Sequence, residues 1–372
     1  MRNNKTLIVI SPAFPENEAA TYWVPSQQLM VKALKRNFPE STIIVLAILY
    51  PYKVSEYEWY GVQVASFNGT HRRKLRRPGL WKDMSGKLKT IYDSQNVIGI
   101  LSFWCGEFAF IANRFAKKYS LPHYIWICGQ DARKLNRWVK FIRPKEGQLI
   151  AMSDSLVNEF YKSHGIKPMH IAPNAIDPAT FPEPQSPQRE IDILAVGSFE
   201  PLKQYDLFTS IVKSIHEAIP DVKAFHCGIG REKKKIESLI EKFSLQDTLH
   251  LLGGKKQEEI LALMQRTKIF LHTSSYEGFS TVCLEALYAG AHVISFCYPL
   301  NHQVPHWHVV KTAEEMTAKA LEILRDDNCD HTSVMLYTMD ESAKAIIKLF
   351  DQNLLRVSNL FHKQKALSTK EV

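Results

Sequence analysis

Residues 269–294 read I-F-L-H-T-S-S-Y-E-G-F-S-T-V-C-L-E-A-L-Y-A-G-A-H-V-I, and this stretch constrains the fold more than any other. Ile269–His272 is an apolar run of strand length, and Thr273–Ser275 breaks it. Glu277-Gly278-Phe279 is a turn, after which Ser280 or Thr281 can N-cap a helix over Val282–Ala289. Gly290 ends that helix and His292–Phe296 is a second strand. A strand returned through a helix to a second strand is the unit of a parallel sheet.

The same unit carries a chemistry. The first N–H groups of a helix lack partners inside it, and its dipole favours negative charge there, so the amides of Phe279, Ser280 and Thr281 are candidates to hold phosphate oxygens. Glu277 and Glu285 flank that corner. Carboxylates repel phosphate, but they accept hydrogen bonds well from vicinal hydroxyls. A diphosphate with a sugar at each end satisfies both demands, which describes a nucleotide sugar. Taken alone, these residues also fit a plain crossover with both acids in water.

The alternation runs through the whole chain. Strands at Leu7–Ser11, Thr42–Ile48, Val97–Phe103, His123–Cys128, Gln148–Met152 and Met169–Ala172 are separated by helices at Val24–Arg36, Glu107–Tyr119 and Ser155–His164. Three prolines, Pro182, Pro184 and Pro187, then form a linker. The pattern restarts with strands at Asp192–Val196, Ala224–Cys227 and Leu249–Leu252 and helices at Gln204–Ile219, Glu232–Phe243 and Glu258–Thr267. Helices over Thr312–Leu324 and Met339–Gln352 follow. Apolar strands in this rhythm predict α/β architecture with parallel sheets covered on both faces. At 372 residues the chain is long enough for two such domains. The expected division is 1–178 and 179–338, with a helix at about 339–360 packing back on the first domain.

The motif E-G-F-S-T-V-C-L-E-A-L-Y-A-G resembles the Glu, seven residues, Glu motif of retaining GT-B glycosyltransferases of family four, also known as glycosyl transferases group 1. The resemblance implies two doubly wound Rossmann-like domains facing across a cleft. It implies that Glu277 faces the donor sugar and Glu285 binds the ribose. Further matches follow in order. Ala195-Val196-Gly197-Ser198 with Lys203 resembles the family's Gly-Arg and Lys diphosphate clamp, with Ser198 in place of the Arg and Arg231 as a substitute cation. His226-Cys227-Gly228-Ile229-Gly230-Arg231 resembles its Gly-x-Gly turn beside the nucleotide. Ile171-Ala172-Pro173-Asn174-Ala175-Ile176-Asp177 resembles its linker entry. By this resemblance Glu277, Lys203 and Asp131 are the catalytic candidates. Glu285, Gly278, Phe279, Ser280, Thr281, Ser198, Gly228, Gly230 and Arg231 are the donor-binding ones.

The first domain departs more. Ala19-Ala20 stand where the family has a Gly-Gly loop, and their Cβ atoms restrict close approach. Ile127-Cys128-Gly129-Gln130-Asp131 resembles the family's His-Gly-x-Asp loop with Cys128 at the His position. Cys128 and Arg133 are therefore acceptor-side candidates. A loop ion pair between Asp131 and Arg133 is the plain alternative. The implied reaction moves a sugar from a UDP- or GDP-linked donor to a saccharide or lipid-linked acceptor. The implied alternative is a degenerate relative that binds nucleotide sugar as a scaffold.

Other features bound this picture. No Asp-x-Asp is present, no metal is implied, and the nucleotide sugar is substrate rather than cofactor. His302, His306 and His308 approach metal-ligand spacing, but Pro305 breaks any helix that would align them, so a pocket wall is the preferred reading. The six cysteines show no C-x-x-C and read as reduced thiols. Leu7–Ile10 is too short for a signal sequence, and no apolar run spans a bilayer, which predicts a cytoplasmic protein. The net charge of +9 concentrates in His71-Arg72-Arg73-Lys74-Leu75-Arg76-Arg77. With Leu80 and Trp81 beside it, this block favours peripheral contact with the anionic inner face of a membrane over a merely solvated loop. Nucleic acid is not expected as a partner, because interleaved aromatics and any known module are missing.

Overall fold

The computed structural model describes residues 4–21, 24–72, 76–184 and 188–351. The chain divides into two compact units, one formed by 1–174 with 339–372 and the other by 175–338. The expectations placed on Arg73, Lys74 and Leu75, on Gln185–Pro187, on the part of the last helix beyond residue 351 and on the tail from His362 lie outside the described residues.

The first unit is an eight-stranded sheet. In chain order its strands are β1 (Lys5–Ala13), β2 (Thr42–Tyr50), β3 (Val54–Trp59), β4 (Val62–Phe67), β5 (Asn96–Phe103), β6 (His123–Ile127), β7 (Leu149–Ala151) and β8 (His170–Ile171). Their spatial order is β3-β4-β2-β1-β5-β6-β7-β8, parallel throughout except for the β3–β4 hairpin. Helices α1 (Pro25–Asn37), α2 (Arg77–Ser94), α3 (Glu107–Lys118), α4 (Trp138–Ile142) and α5 (Asp154–His164) connect them. Ile8, Ile10, Leu46 and Ile100 pack against Leu80, Met84 and Leu88 of α2 and Phe108, Ile111 and Phe115 of α3. The ends of α5 follow local rules: the Ser153 hydroxyl accepts the Leu156 N–H at 3.1 Å, and Gly165 closes the helix in the left-handed region.

A helix over 339–351 completes this unit although it follows the second in sequence. Phe350 is fully buried, packs edge-on to Tyr124 at 4.9 Å, and lies where Gly99 leaves no room for a Cβ. Lys5 and Asp351 pair at 2.9 Å near its end.

The second unit is a six-stranded, wholly parallel sheet. Its strands are β9 (Ile191–Val196), β10 (Ala224–Cys227), β11 (Leu249–Gly253), β12 (Thr267–His272), β13 (His292–Ser295) and β14 (Trp307–Val309). Its helices are α6 (Tyr205–Ala218), α7 (Lys233–Lys242), α8 (Gln257–Gln265), α9 (Thr281–Tyr288) and α10 (Ala313–Leu324). The order β11-β10-β9-β12-β13-β14 is that of a doubly wound Rossmann sheet, with its switch point between β9 and β12. Ile193, Ile269 and Leu271 of the sheet pack with Phe208, Ile211, Val212 and Ile215 of α6 and Met316 of α10.

Two expectations are corrected in the first unit. Arg77–Ser94 is a helix and β3 and β4 precede it, in a stretch where no element was expected. The Leu80–Trp81 membrane collar is not formed. Leu80 is 0% exposed, and the Trp81 indole donates to Glu107 at 2.6 Å. Four of the surrounding cations are paired: Arg72 with Asp83, Arg77 with Glu107, Lys87 with Glu56 and Lys89 with Asp93.

Candidate functional site

The carboxyl ends of neighbouring strands in the second unit converge through hydrogen bonds between their loops. After β9, the Phe199 amide donates to Ile229 at 3.0 Å and the Phe199 carbonyl accepts from Glu232 at 3.1 Å. The Leu202 carbonyl accepts the Ser275 amide at 3.0 Å, and the Lys203 carbonyl accepts the Thr273 hydroxyl at 2.8 Å. The loops after β9, β10 and β12 are thereby one assembly straddling the switch point, where ligands of such sheets bind.

Gly197 and Gly228 set how closely these loops approach. A Cβ on Gly228 would lie 1.9 Å from the Gly197 carbonyl oxygen, so only glycine fits. Below them His226 stacks on Phe199 at 4.2 Å and meets Tyr205 edge-on at the same distance. Burial pushes the His226 imidazole down to about 3, so it is a neutral packing element.

Lys203, from the loop after β9, and Glu277, from the loop after β12, form an ion pair. His272, the last residue of β12, brings its Nε2 to 3.4 Å from the same carboxylate oxygen. It also reaches the hydroxyls of Ser274 at 3.2 Å and Ser280 at 3.3 Å. Burial disfavours charge on both His272 and Glu277. Against it, Cys283 and Glu277 raise His272 to about 9, while His272 and Lys203 hold the Glu277 carboxyl down at about 2. Glu277 is therefore a fixed carboxylate with cations on two sides.

Glu285 lies one turn into α9 and is only 4% exposed. Gln257, at the start of α8 after β11, donates to it at 2.6 Å. Burial is the dominant influence and raises its carboxyl to about 8, against the opposing Gln257 bond. Gly278, Phe279, Ser280 and Thr281 lead into α9, whose N-cap is Ser280. The Ser280 hydroxyl does not cap the helix; it faces His272 instead. The Phe279 ring is buried and packs against Tyr337 at 6.0 Å. Ser198 is exposed, and Gly230 belongs to the turn after β10. Arg231 is ion-paired with Glu200 at 3.0 Å and largely exposed, so it is not committed to the Lys203–Glu277 pair.

In the first unit, Asp131 closes the turn that follows β6. It is 5% exposed, and its carboxylate accepts the Cys128 amide at 2.8 Å, which closes the 128–132 turn. Burial raises it to about 7, while bonds from the Cys128 and Cys105 backbone oppose that rise. Cys128 receives a long 3.9 Å contact from the Gln27 amide nitrogen, and burial pushes its thiol well up. Arg133 follows the turn and is exposed.

Of the three histidines expected to wall a pocket, His306 and His308 do not line the converging loops. His306 and His308 pack on His292, with rings 4.5 and 5.3 Å apart, and His292 begins β13. These rings lie at the amino edge of the sheet, opposite the converging loops. Sequence reasoning missed His272 and Gln257. His272 could have been flagged as the one titratable residue ending an apolar strand before the acidic loop.

Residues 177–335 match the family described as glycosyl transferases group 1. The chain is 26% identical over 262 residues to the phosphatidylinositol N-acetylglucosaminyltransferase gpi3 subunit of Schizosaccharomyces pombe, covering 68% of this chain and 57% of that protein. It is 30% identical over 126 residues to a phosphatidylinositol N-acetylglucosaminyltransferase component of Homo sapiens, covering 34% of this chain and 26% of that protein. The chain thus spans less than two thirds of either relative. Its fold is similar to that of Anabaena HepE in complex with UDP-glucose, with TM-score 0.67 and 14% identity over 95% of this chain and 99% of that one.

Proposed function

We propose, for a chain that belongs to the group 1 glycosyltransferases and has their GT-B fold, transfer of a sugar from a nucleoside diphosphate donor to an acceptor hydroxyl with retained anomeric configuration. The observation that carries this reading is the Lys203–Glu277 pair, joined across the switch point and backed by His272. An anionic carboxylate there accepts hydrogen bonds from sugar hydroxyls, while Lys203 offers its charge to the diphosphate. The bond from the anomeric carbon to the phosphate oxygen breaks as the bond to the acceptor oxygen forms on the same face. The acceptor proton passes to the departing phosphate. Charge grows on the diphosphate in that step, so Lys203 and the positive end of α9 stabilise the transition state more than the ground state.

Glu285 holds the ribose in this reading, and the acceptor is a saccharide or a lipid-linked saccharide. The relatives named for phosphatidylinositol support the lipid-borne choice. UDP or GDP is the expected nucleotide. A thermal-shift screen of nucleotides and nucleotide sugars tests the reading, because a ligand held only by the native state raises the melting temperature. No shift with any of them, together with no donor hydrolysis, would sink it.

A second reading is favoured by Ser198 in the clamp and Cys128 in the first-unit loop: a scaffold that binds nucleotide sugar without turnover. Nucleotide binding without hydrolysis or transfer across many acceptors would establish it.

Glu285→Gln gives a separate test. The native carboxyl holds its proton up to about 8, whereas the unfolded chain releases it near the ordinary value of 4.5. Between these values the unfolded state binds fewer protons, so rising pH destabilises the fold through this group. The glutamine variant is expected to gain melting temperature relative to wild type as pH rises from about 5 to 8. Its nucleotide affinity should fall by about tenfold, the scale of one lost hydrogen bond. An unchanged affinity would remove Glu285 from the donor site.

A further inference from the structure

The chain between 133 and 145 reads Arg-Lys-Leu-Asn-Arg-Trp-Val-Lys-Phe-Ile-Arg-Pro-Lys, with six cations and no acid. All six are exposed. No carboxylate of the described residues pairs with Lys134, Arg137, Lys140, Arg143 or Lys145, unlike the cations around α2. Among them Leu135 is 93% exposed and Phe141 58% exposed. These two are not the tip of a fraying loop. The Asn136 side chain donates to the Cys105 carbonyl at 2.9 Å, and the Asn113 side chain donates to the Ile142 carbonyl at 3.0 Å. Val139 and Ile142 are buried beneath, and Trp138 packs between Phe110 and Phe141 at 5.9 and 5.7 Å.

A tethered segment that holds two large apolar side chains in water, among five cations that no carboxylate of the described residues pairs with, pays twice in isolation: for exposed apolar surface and for like-charge repulsion. One partner relieves both. The headgroup layer of an anionic bilayer supplies negative charge to the cations, and the acyl boundary below it takes the leucine and phenylalanine. Nucleic acid would neutralise the charge and offer a base to the Phe141 ring, but it would leave Leu135, which has no ring to stack, in water.

We propose that residues 133–145 are a docking surface for an anionic lipid bilayer, with Leu135 and Phe141 entering the interface and the surrounding lysines and arginines binding lipid headgroups. The surface is distinct from the donor site and lies outside the α2 region that the sequence had marked.

Co-sedimentation of the full chain with vesicles tests it. One set is neutral phosphatidylcholine, and in the other about a third of the lipid is phosphatidylserine. Wild type is expected to bind the anionic vesicles at least about tenfold more tightly. Arg137→Glu with Lys140→Glu should abolish that preference. Leu135→Ser with Phe141→Ser should weaken binding about tenfold while leaving the charge intact. Unchanged circular dichroism and an unchanged nucleotide-induced thermal shift certify that both variants are folded. Equal binding of wild type to the two vesicle types would overturn the proposal. So would full vesicle affinity in the Leu135/Phe141 variant, or displacement of wild type from vesicles by RNA that this variant still binds fully. Failure of the transfer reading would appear in the nucleotide shift and leave the vesicle results untouched.

Discussion

Replacing Lys203 by Met is expected to lower the rate of sugar transfer about 10²–10³-fold, the range for loss of one preorganised group that stabilises developing charge. Methionine keeps most of the side-chain length and the apolar stem, so the loops after β9 and β12 should remain joined through the Ser275–Leu202 and Thr273–Lys203 backbone contacts. The effect should fall on kcat more than on KM, because the diphosphate gains charge only as the glycosidic bond breaks. A second signature follows from the ion pair. Without Lys203 the Glu277 carboxylate keeps His272 but loses its other cation, so its pKa rises from about 2. A depressed carboxyl contributes stability above its unfolded pKa that is lost as pH falls through the folded value. The variant should therefore lose stability at a higher pH than wild type during acid titration. Steady-state kinetics and an acid melt on the same preparation check both. A rate within about threefold of wild type would remove Lys203 from the reaction and favour the scaffold reading.

Gly228→Ala is expected to be the most disruptive single methyl in the second unit. The added Cβ would sit 1.9 Å from the Gly197 carbonyl oxygen and 2.8 Å from its carbon. Both atoms are backbone, so no rotamer change relieves the clash, and the strands themselves must separate. That separation strains the Gly197 amide bond to Cys227 at 2.9 Å and the Gly228 amide bond to Gly253 at 2.8 Å. A loss of about 3–5 kcal/mol is expected, the upper range for point substitutions. Gly254→Ala is the control. Its Cβ would meet only a methyl of Ile229 at 3.5 Å, an ordinary contact, and should change stability by about 0.5 kcal/mol or less. Equal melting temperatures for the two variants would contradict this account of the loop contact.

The parallel strands were legible because a strand covered on both faces needs an unbroken apolar run, as in Ile43–Leu46 or Ile269–Leu271, and little else in a sequence looks like that. The β3–β4 hairpin was not, because its outer strand alternates Glu56 and Glu58 with half-exposed residues and resembles a polar loop. Helix α2 was obscured by Pro78, Gly79 and Gly86 and by its density of lysine and arginine, although Leu80, Met84, Leu88 and Ile91 keep the helical spacing and are buried. At the site, Glu277, Glu285 and Lys203 were named from their resemblance to the family's motifs. What they touch was not, since the contacts of Lys203 with Glu277 and of Gln257 with Glu285 join residues far apart in sequence. Basic residues were likewise visible and their pairing was not. In the run at 71–77, Arg72 and Arg77 have acidic partners, whereas Lys134, Arg137, Lys140, Arg143 and Lys145 have none among the described residues.

The helix over 339–351 has a temporal consequence. Its Phe350 fills a socket beside Gly99 and Tyr124, and its backbone accepts the Tyr124 hydroxyl at 3.1 Å. During translation the amino-terminal sheet emerges first but waits for its closing piece until the whole intervening unit has been made, on the order of ten seconds or more at ribosomal speed. A nascent chain paused before residue 339 would present an open apolar hollow at that sheet's flank, which marks it as a chaperone client at that stage. The unit spanning 175–338, by contrast, is contiguous and is the piece to excise for independent expression.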